Sequence, residues 1–402
     1  MRSIPYSRQS ITEEDIEAVS SVLRSDRLTQ GPLVEALERA LCDLCGAKHC
    51  VMVANGSLAL QLACLALGVG AGDVGLTSPI SFLASANCVA SCGGRPDFVD
   101  IESDSLCLSP ASLEAYCEIH PAPKVVIPVD FAGVPADLPR LRALSEIFGF
   151  ALIEDAAHAV GSTYRIHGHE YACGSCSHTD MAILSFHPVK SMTTGEGGAV
   201  LTNDDELAFQ VRVLANHGVV RDPNKYKNRP SEGNGQQGVP SWYYEMQALG
   251  FNGRITDIQC ALGLSQIKRL AEFKVRRQDI VREYNRRLKG LVDNEVVILP
   301  PWPEHTDPCF HLYPLRLGTR CKITRDQLFE GLQEKGIRCQ VHYIPIYQQP
   351  FYQEKYHYEK DRFPAAEAYF ASCISLPLFP AMDKETLQYV VEALFALLDP
   401  GK

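Results

Sequence analysis

The sequence predicts an α/β fold, with a mainly parallel seven-stranded sheet in a large domain and a small C-terminal α+β domain. Three observations carry this expectation. Between Cys50 and Asn203, short β-rich apolar runs alternate with helical stretches. Near-continuous apolar strands separated by crossovers are the pattern of a parallel sheet buried on both faces. The runs end in polar or glycine-containing residues, the sheet edge where open α/β folds bind ligands. Finally, 402 residues are more than one simple core accommodates, so two units are expected.

Taken in order, the expected strands begin with Val51-Met52-Val53, a weaker run at 74–77, then 97–101 and 125–129. They continue with Ala151-Leu152-Ile153, 181–184 and 198–201. Helical stretches such as 57–67 and 138–148 supply the crossovers. Residues 224–241 are rich in Asn, Gly, Pro and Lys, which reads as a long loop, mobile or covering a ligand. One long helix is expected from 255 to about 291, with a basic solvated face at Lys268, Arg269, Lys274, Arg276 and Arg277. Strand 312–317, helix 325–335, strand 337–343 and helix 384–398 complete the small lobe. The division is placed at 1–254 and 255–402.

A formal net charge of −10 argues against nucleic-acid and anionic-membrane partners, which need a cationic face. It leaves room for a local cluster that binds a small anion. Met1 to Tyr6 runs into polar sequence without the apolar stretch of a secretory signal, and no segment approaches the ~18 apolar residues of a membrane span. The fifteen cysteines include Cys64, Cys88, Cys260 and Cys339, each single within an apolar run. That is how reduced, buried thiols look, and a cytoplasmic setting is expected. Cys42 with Cys45, and Cys173 with Cys176, have zinc-like spacing, but a tetrahedral site needs two such pairs brought together. The first pair also falls on a helical pattern, so no metal is expected.

The segment richest in chemistry is Ser185-Phe186-His187-Pro188-Val189-Lys190 followed by Gly195-Glu196-Gly197-Gly198. Lys190 sits in a hydroxyl- and glycine-rich loop between two apolar strands. A solvated loop lysine is the plain reading; a Schiff-base lysine is the chemical one, and it requires a cavity that desolvates the amine. Asp155 ends a buried strand in Glu154-Asp155-Ala156-Ala157-His158. It either caps the next helix or pairs with a protonated pyridine nitrogen, with His158 packing on that ring or ordering the aspartate. Gly56 and Ser57 follow a strand and open a helix, where free N–H groups favour phosphate. Ser185 offers a further hydroxyl at a neighbouring strand end. Phe82, just past another strand, either fills the core or stacks on a cofactor.

The order phosphate turn, aromatic, Asp-x-x-His, Ser-x-x-x-x-Lys and Gly-Glu-Gly-Gly resembles the sugar aminotransferase family of fold-type I pyridoxal-phosphate (PLP) enzymes. The likeness runs from Tyr6 to beyond Pro377, with matching stretches at Leu28 to Gly31, Thr77 to Phe82, His158 to Ser162 and Ser185 to His187, and is most specific at Gln340 to Tyr343 and Pro345 to Gln348. Within the family it points to the branch that serves pseudaminic acid biosynthesis. The resemblance implies that Lys190 carries PLP, that Asp155 pairs with its ring nitrogen, and that Gly56, Ser57 and Ser185 hold its phosphate. It implies further that Asn252 reaches the phosphate of a neighbouring subunit, giving a homodimer with shared sites. Substrate contacts fall on Tyr6, Asp26, Arg27, Leu28, Thr29, Gln340, Val341, His342 and Tyr343. The implied partners are L-glutamate as amino donor and a nucleotide keto-sugar, a UDP-linked 4-keto-6-deoxy-N-acetylhexosamine, as acceptor. A sister enzyme on another nucleotide keto-sugar and a non-enzymatic PLP-binding regulator are the alternatives. A dehydratase on this fold carries histidine where Lys190 stands.

Overall fold

A computed structural model describes residues 3–228 and 239–398. Its first nine strands are β1 (His49–Val53), β2 (Val74–Thr77), β3 (Arg95–Phe98), β4 (Val125–Ile127), β5 (Ala151–Asp155), β6 (Thr163–Ile166), β7 (His169–Ala172), β8 (Met181–Ser185) and β9 (Gly198–Thr202). Seven of them form one sheet in the order β1-β9-β8-β5-β4-β2-β3. All pairings from β8 through β3 are parallel, and β9 runs antiparallel to both its neighbours.

Alternation along the strands explains why the sheet sits where it does. In β5, Leu152 joins the core on one face of the sheet and Ile153 the core on the other; Leu184 and Ile183 of β8 divide in the same way. Helices cover both faces, so every residue of β4, β8 and β9 is buried. Their ends are set by local chemistry. Asn55 caps the helix Gly56–Ala66 by accepting the Leu58 N–H at 2.9 Å. Asp137 and Gly149 close the two ends of Leu138–Phe148, the glycine at a positive φ of 82°.

A second core gathers around the antiparallel strands Val297–Ile298, Tyr313–Leu317 and Cys373–Leu376. Helices Leu270–Asp293, Arg325–Glu334 and Lys384–Leu398 pack on it through Tyr284, Leu288, Leu332, Val390 and Leu394. Ile4 belongs to this core as well: its N–H donates to Gly336 O at 2.9 Å and its carbonyl accepts from Arg338 N at 2.8 Å.

Two expectations are corrected, and one element is added. The long helix from 255 is two helices, Asp257–Gln266 and Leu270–Asp293, joined by the turn Ile267–Arg269. Arg269 leaves the helical region (φ −104°, ψ 2°), and its guanidinium is held by Asp15 and the Ser10 carbonyl. Residues 337–343 form no strand; only Ile337 and Gln340 make isolated bridges, to Ile4 and Ser375. The hairpin of β6 and β7, which pairs further with Thr306–Asp307, had no expected counterpart. In the expected loop at 224–241, residues 229–238 lie outside the described residues, and Pro223–Lys225 is a single 3-10 turn.

Candidate active site

At the carboxyl ends of the parallel strands lies a cavity of about 610 Å3 lined by Lys190, Asp155, His158, Gly56, Ser57, Ser185 and Phe82, among others. The sheet register brings the wall together. Asp155 lies opposite Ile183 in β8, and Gly198 of the reversed strand β9 lies opposite Ser185 and Val53, which puts the Asn55-Gly56 turn beside Ser185. A side chain on Gly56 would bring its Cβ to 2.9 Å from Ser185 Cβ, so glycine is what lets the helix start approach that hydroxyl.

Lys190 is half-buried in a loop pinned by its own N–H to His187 O at 2.9 Å and by the Thr193 hydroxyl to Phe186 O at 2.9 Å. Burial lowers its amine to a pKa of about 8, against the opposing pull of the Asp155 carboxylate. Asp155 is buried; its Oδ2 accepts from Ser85 Oγ at 2.6 Å and its Oδ1 from Ala157 N at 3.2 Å. Burial raises its pKa, while the Ser85 hydroxyl and the Lys190 charge work to keep it ionised. Ser85 is in turn within 2.7 Å of the Ser81 hydroxyl.

His158 is also buried, and burial together with Lys190 and His342 pushes its pKa well below the ordinary value. Its ring lies 4.4 Å from that of His311 and 6.2 Å from Tyr343, near-parallel to the latter. His342, which accepts or donates with Ser375 Oγ at 2.8 Å, is pushed down to about 4 by burial and Lys190. His311, which lines the same cavity, is likewise pushed well below the ordinary value by burial, with His158 and Lys190 adding to the shift. Phe82 is 54% exposed at the rim, 6.3 Å from the Tyr343 ring, so it does not fill the core.

Tyr6, His342 and Tyr343 line the same cavity, whereas Gln340 and Val341 approach it only through their neighbours. Asp26 and Arg27 line a different concavity beside helix Asp257–Gln266. Leu28 is exposed, and Thr29 bridges to Thr256. Asn252 is exposed, paired through its backbone with Asn216, and outside the cavity. Sequence reasoning missed Ser81, Ser85 and His311. The spacing of the two serines by four residues was a visible signal, but one equally typical of any polar helix face. His311 offered none.

The donors present fit pyridoxal phosphate. A helix start with a crowded glycine and two hydroxyls suits a phosphate, a buried carboxylate suits a protonated ring nitrogen, and a desolvated lysine suits an aldehyde.

Comparison with known proteins agrees with this fit. SpsC, the spore coat polysaccharide biosynthesis protein of Bacillus subtilis, is 36% identical over 399 residues, covering 97% of this chain and 96% of SpsC. Helicobacter pylori PseC, an aminotransferase involved in the biosynthesis of pseudoaminic acid, has a TM-score of 0.87 at 29% identity, covering 99% of this chain and 100% of PseC. Spr1654 from Streptococcus pneumoniae, solved in its PLP form, has a TM-score of 0.86 at 28% identity, with 99% of each chain covered. The family model for DegT/DnrJ/EryC1/StrS aminotransferases matches residues 9–395, and the chain belongs to that family of PLP-dependent sugar aminotransferases.

Proposed function

We propose that this enzyme moves an amino group from L-glutamate to C4 of a UDP-linked 4-keto-6-deoxy-N-acetylhexosamine, as pseudaminic acid biosynthesis requires. The observation that carries the reading is the desolvated Lys190 amine sharing one cavity with the buried Asp155. The likeness to PseC over the whole chain supports the choice of sugar.

When bound, pyridoxal phosphate supplies a carbonyl that links to an amine and a ring that accepts the electron pair left by a departing proton. Gly56, Ser57 and Ser185 are the residues that would hold its phosphate, Asp155 its ring nitrogen, and Phe82 an aromatic face. Lys190 is the residue that would hold the cofactor's aldehyde carbon, and its neutral Nζ is placed to take and hold the proton from the donor's amino-bearing carbon. An amine pKa of about 8 leaves part of it neutral near pH 7, as a general base needs. His158, kept neutral by burial, orders the site without adding a second charge. Tyr6, His342 and Tyr343 form the wall that meets the sugar.

The same proposal includes a homodimer. Asn252, Asp26, Arg27, Leu28 and Thr29 lie away from their own cavity, and we assign them to the cavity of a second copy. Exposed Trp242, Tyr244, Met246, Leu249 and Phe251 lead up to Asn252 and offer the apolar area such a contact needs. A cytoplasmic setting and the lobe division at 254/255 belong to the proposal too. All fifteen cysteines are thiols, as expected in a reducing compartment, and no described helix is long and apolar enough to cross a membrane.

A second reading has a specific observation behind it: identity is higher to SpsC, at 36%, than to PseC, at 29%. On that reading the acceptor is another nucleotide keto-sugar, destined for a polysaccharide. The deciding experiment offers glutamate and a panel of nucleotide 3- and 4-keto-sugars and determines product stereochemistry by NMR. Preferred turnover of the UDP-linked 4-keto-N-acetyl sugar is expected. Preference for another nucleotide or keto position transfers the assignment to the second reading.

A further inference from the structure

Behind the catalytic wall, outside the cavity, two carboxyl groups are buried together. Asp130 is 0% and Glu154 1% exposed, and with the Cys173 thiol their ligand atoms lie within 4.8 Å of one another. Asp130 Oδ1 accepts from Ala136 N at 2.9 Å, but its Oδ2 is buried with no donor. The two Glu154 oxygens accept a single N–H, that of Gly174, at 3.0 and 3.1 Å. The groups acting most strongly on the pair are carboxyls, a thiol and backbone N–H, with no cation among them. Two desolvated carboxylates in one cluster repel, and two backbone N–H groups and a thiol are all that offsets this, whereas one retained proton turns the repulsion into a hydrogen bond and supplies the donor that Oδ2 lacks.

We propose that Asp130 and Glu154 share one proton as a carboxylic acid–carboxylate pair, and that this pair is a positioning device for His158 and Asp155. The proton resides on Glu154 and is donated to Asp130 Oδ2. The pair clamps the turn that follows Asp130 against β5. From that turn, Asp130 N donates to the Asp155 carbonyl at 3.1 Å and Ala132 N donates to His158 Nδ1 at 3.4 Å. Ala132 and Gly133 take positive φ values of 59° and 96°, and a Cβ on Gly133 would meet Phe310 N at 2.9 Å and His158 O at 3.0 Å. The turn therefore has one place to sit. With Nδ1 occupied by an N–H donor, the neutral His158 carries its proton on Nε2, facing the Tyr343 hydroxyl at 3.3 Å.

Burial raises both carboxyls, Asp130 to about 6 and Glu154 well above the ordinary range. The titratable groups facing them are Asp155, Cys45, Cys107, Cys173, Cys176 and Tyr164. The proposal concerns amino transfer as the family performs it and is independent of which sugar is accepted.

The test is infrared spectroscopy of the holoenzyme near pH 7, with metal analysis of the same samples. A carboxylic-acid carbonyl band is expected in the native protein and expected to vanish in Glu154→Gln, where an amide takes the place of the acid. Glu154→Ala, which strands Asp130, is expected to lower kcat roughly ten- to a hundredfold, and Glu154→Gln, whose amide restores the donor, to recover most of that loss. Absence of the band in the native protein, its persistence in Glu154→Gln, or no recovery by glutamine would overturn the proposal. So would one tightly bound metal ion per chain that the variants lose, since a cation on Asp130, Glu154 and Cys173 would replace the shared proton.

Discussion

Lys190 is the residue on which the proposed chemistry turns, and its environment makes a measurable demand. A lysine amine captures an aldehyde only when neutral. A folded pKa lowered to about 8 places the rise of the neutral fraction between about pH 7 and 9, far below that of a free lysine. The rate at which cofactor-free protein captures pyridoxal phosphate is therefore expected to climb through this window and level off above it. Borohydride should then fix the label on Lys190. Stopped-flow absorbance and peptide mapping check both; a flat profile below pH 9, or a label on another lysine, contradicts the assignment. That Lys190 and Asp155 share a cavity was legible in the sequence, because each ends or follows an apolar strand in a recognisable order. Ser85 was not, because its bond to Asp155 depends on how helix Ala84–Ser91 leans over the sheet, and no local pattern encodes that lean.

At the scale of the element, the helix start at Gly56 and the end of β8 are fitted to each other. Gly56→Ala places a methyl carbon at 2.9 Å from Ser185 Cβ and 3.1 Å from its Oγ, which only a shift of one backbone relieves. Overpacking of this kind costs about 1–3 kcal/mol, so the melting temperature should fall and cofactor affinity with it. Adding Ser185→Gly removes the overlap and should restore stability, yet affinity should stay low because a hydroxyl is gone. Thermal denaturation and cofactor titration of the three variants separate the two effects. The sheet itself was legible, since buried parallel strands write themselves as short apolar runs. The break at Ile267–Arg269 was not, because every residue there is a good helix former and the kink is imposed by Asp15, some 250 residues away in sequence (|i−j| = 254). The stretch 337–343 has the β-branched and aromatic content of a strand but finds no continuous partner, and its irregular path is what delivers His342 and Tyr343 to the cavity.

At the scale of the whole molecule, the proposed dimer makes activity a property of pairs. Lys190→Ala removes the amine; Asn252→Asp sets a carboxylate against the phosphate that Asn252 is proposed to reach. Each homodimer should be inactive. After subunit exchange, one site of a mixed dimer carries both lesions and the other neither, so up to about a quarter of native activity should return if pairing is random and a site binds its cofactor only when assembled. Confirmed exchange without recovery would remove Asn252 from the partner's site. The proposed dimer is the part least legible in the sequence: an asparagine near a helix start reads as a cap, and nothing in spacing tells which copy of a cavity it faces.

The tie between Ile4 and the backbone at 336–338 has a consequence for the order in which the enzyme comes into being. Tyr6, two residues on, is held at the cavity wall by a further tie, its carbonyl accepting from Leu378 N at 2.9 Å, and both ties are built from sequence more than three hundred residues downstream. On the ribosome the sheet with Lys190, Asp155 and Gly56 can form well before residue 337 has emerged. During that interval the pocket has a floor but lacks the walls supplied by Tyr6, His342 and Tyr343. Discrimination among sugars therefore begins only when synthesis is nearly finished.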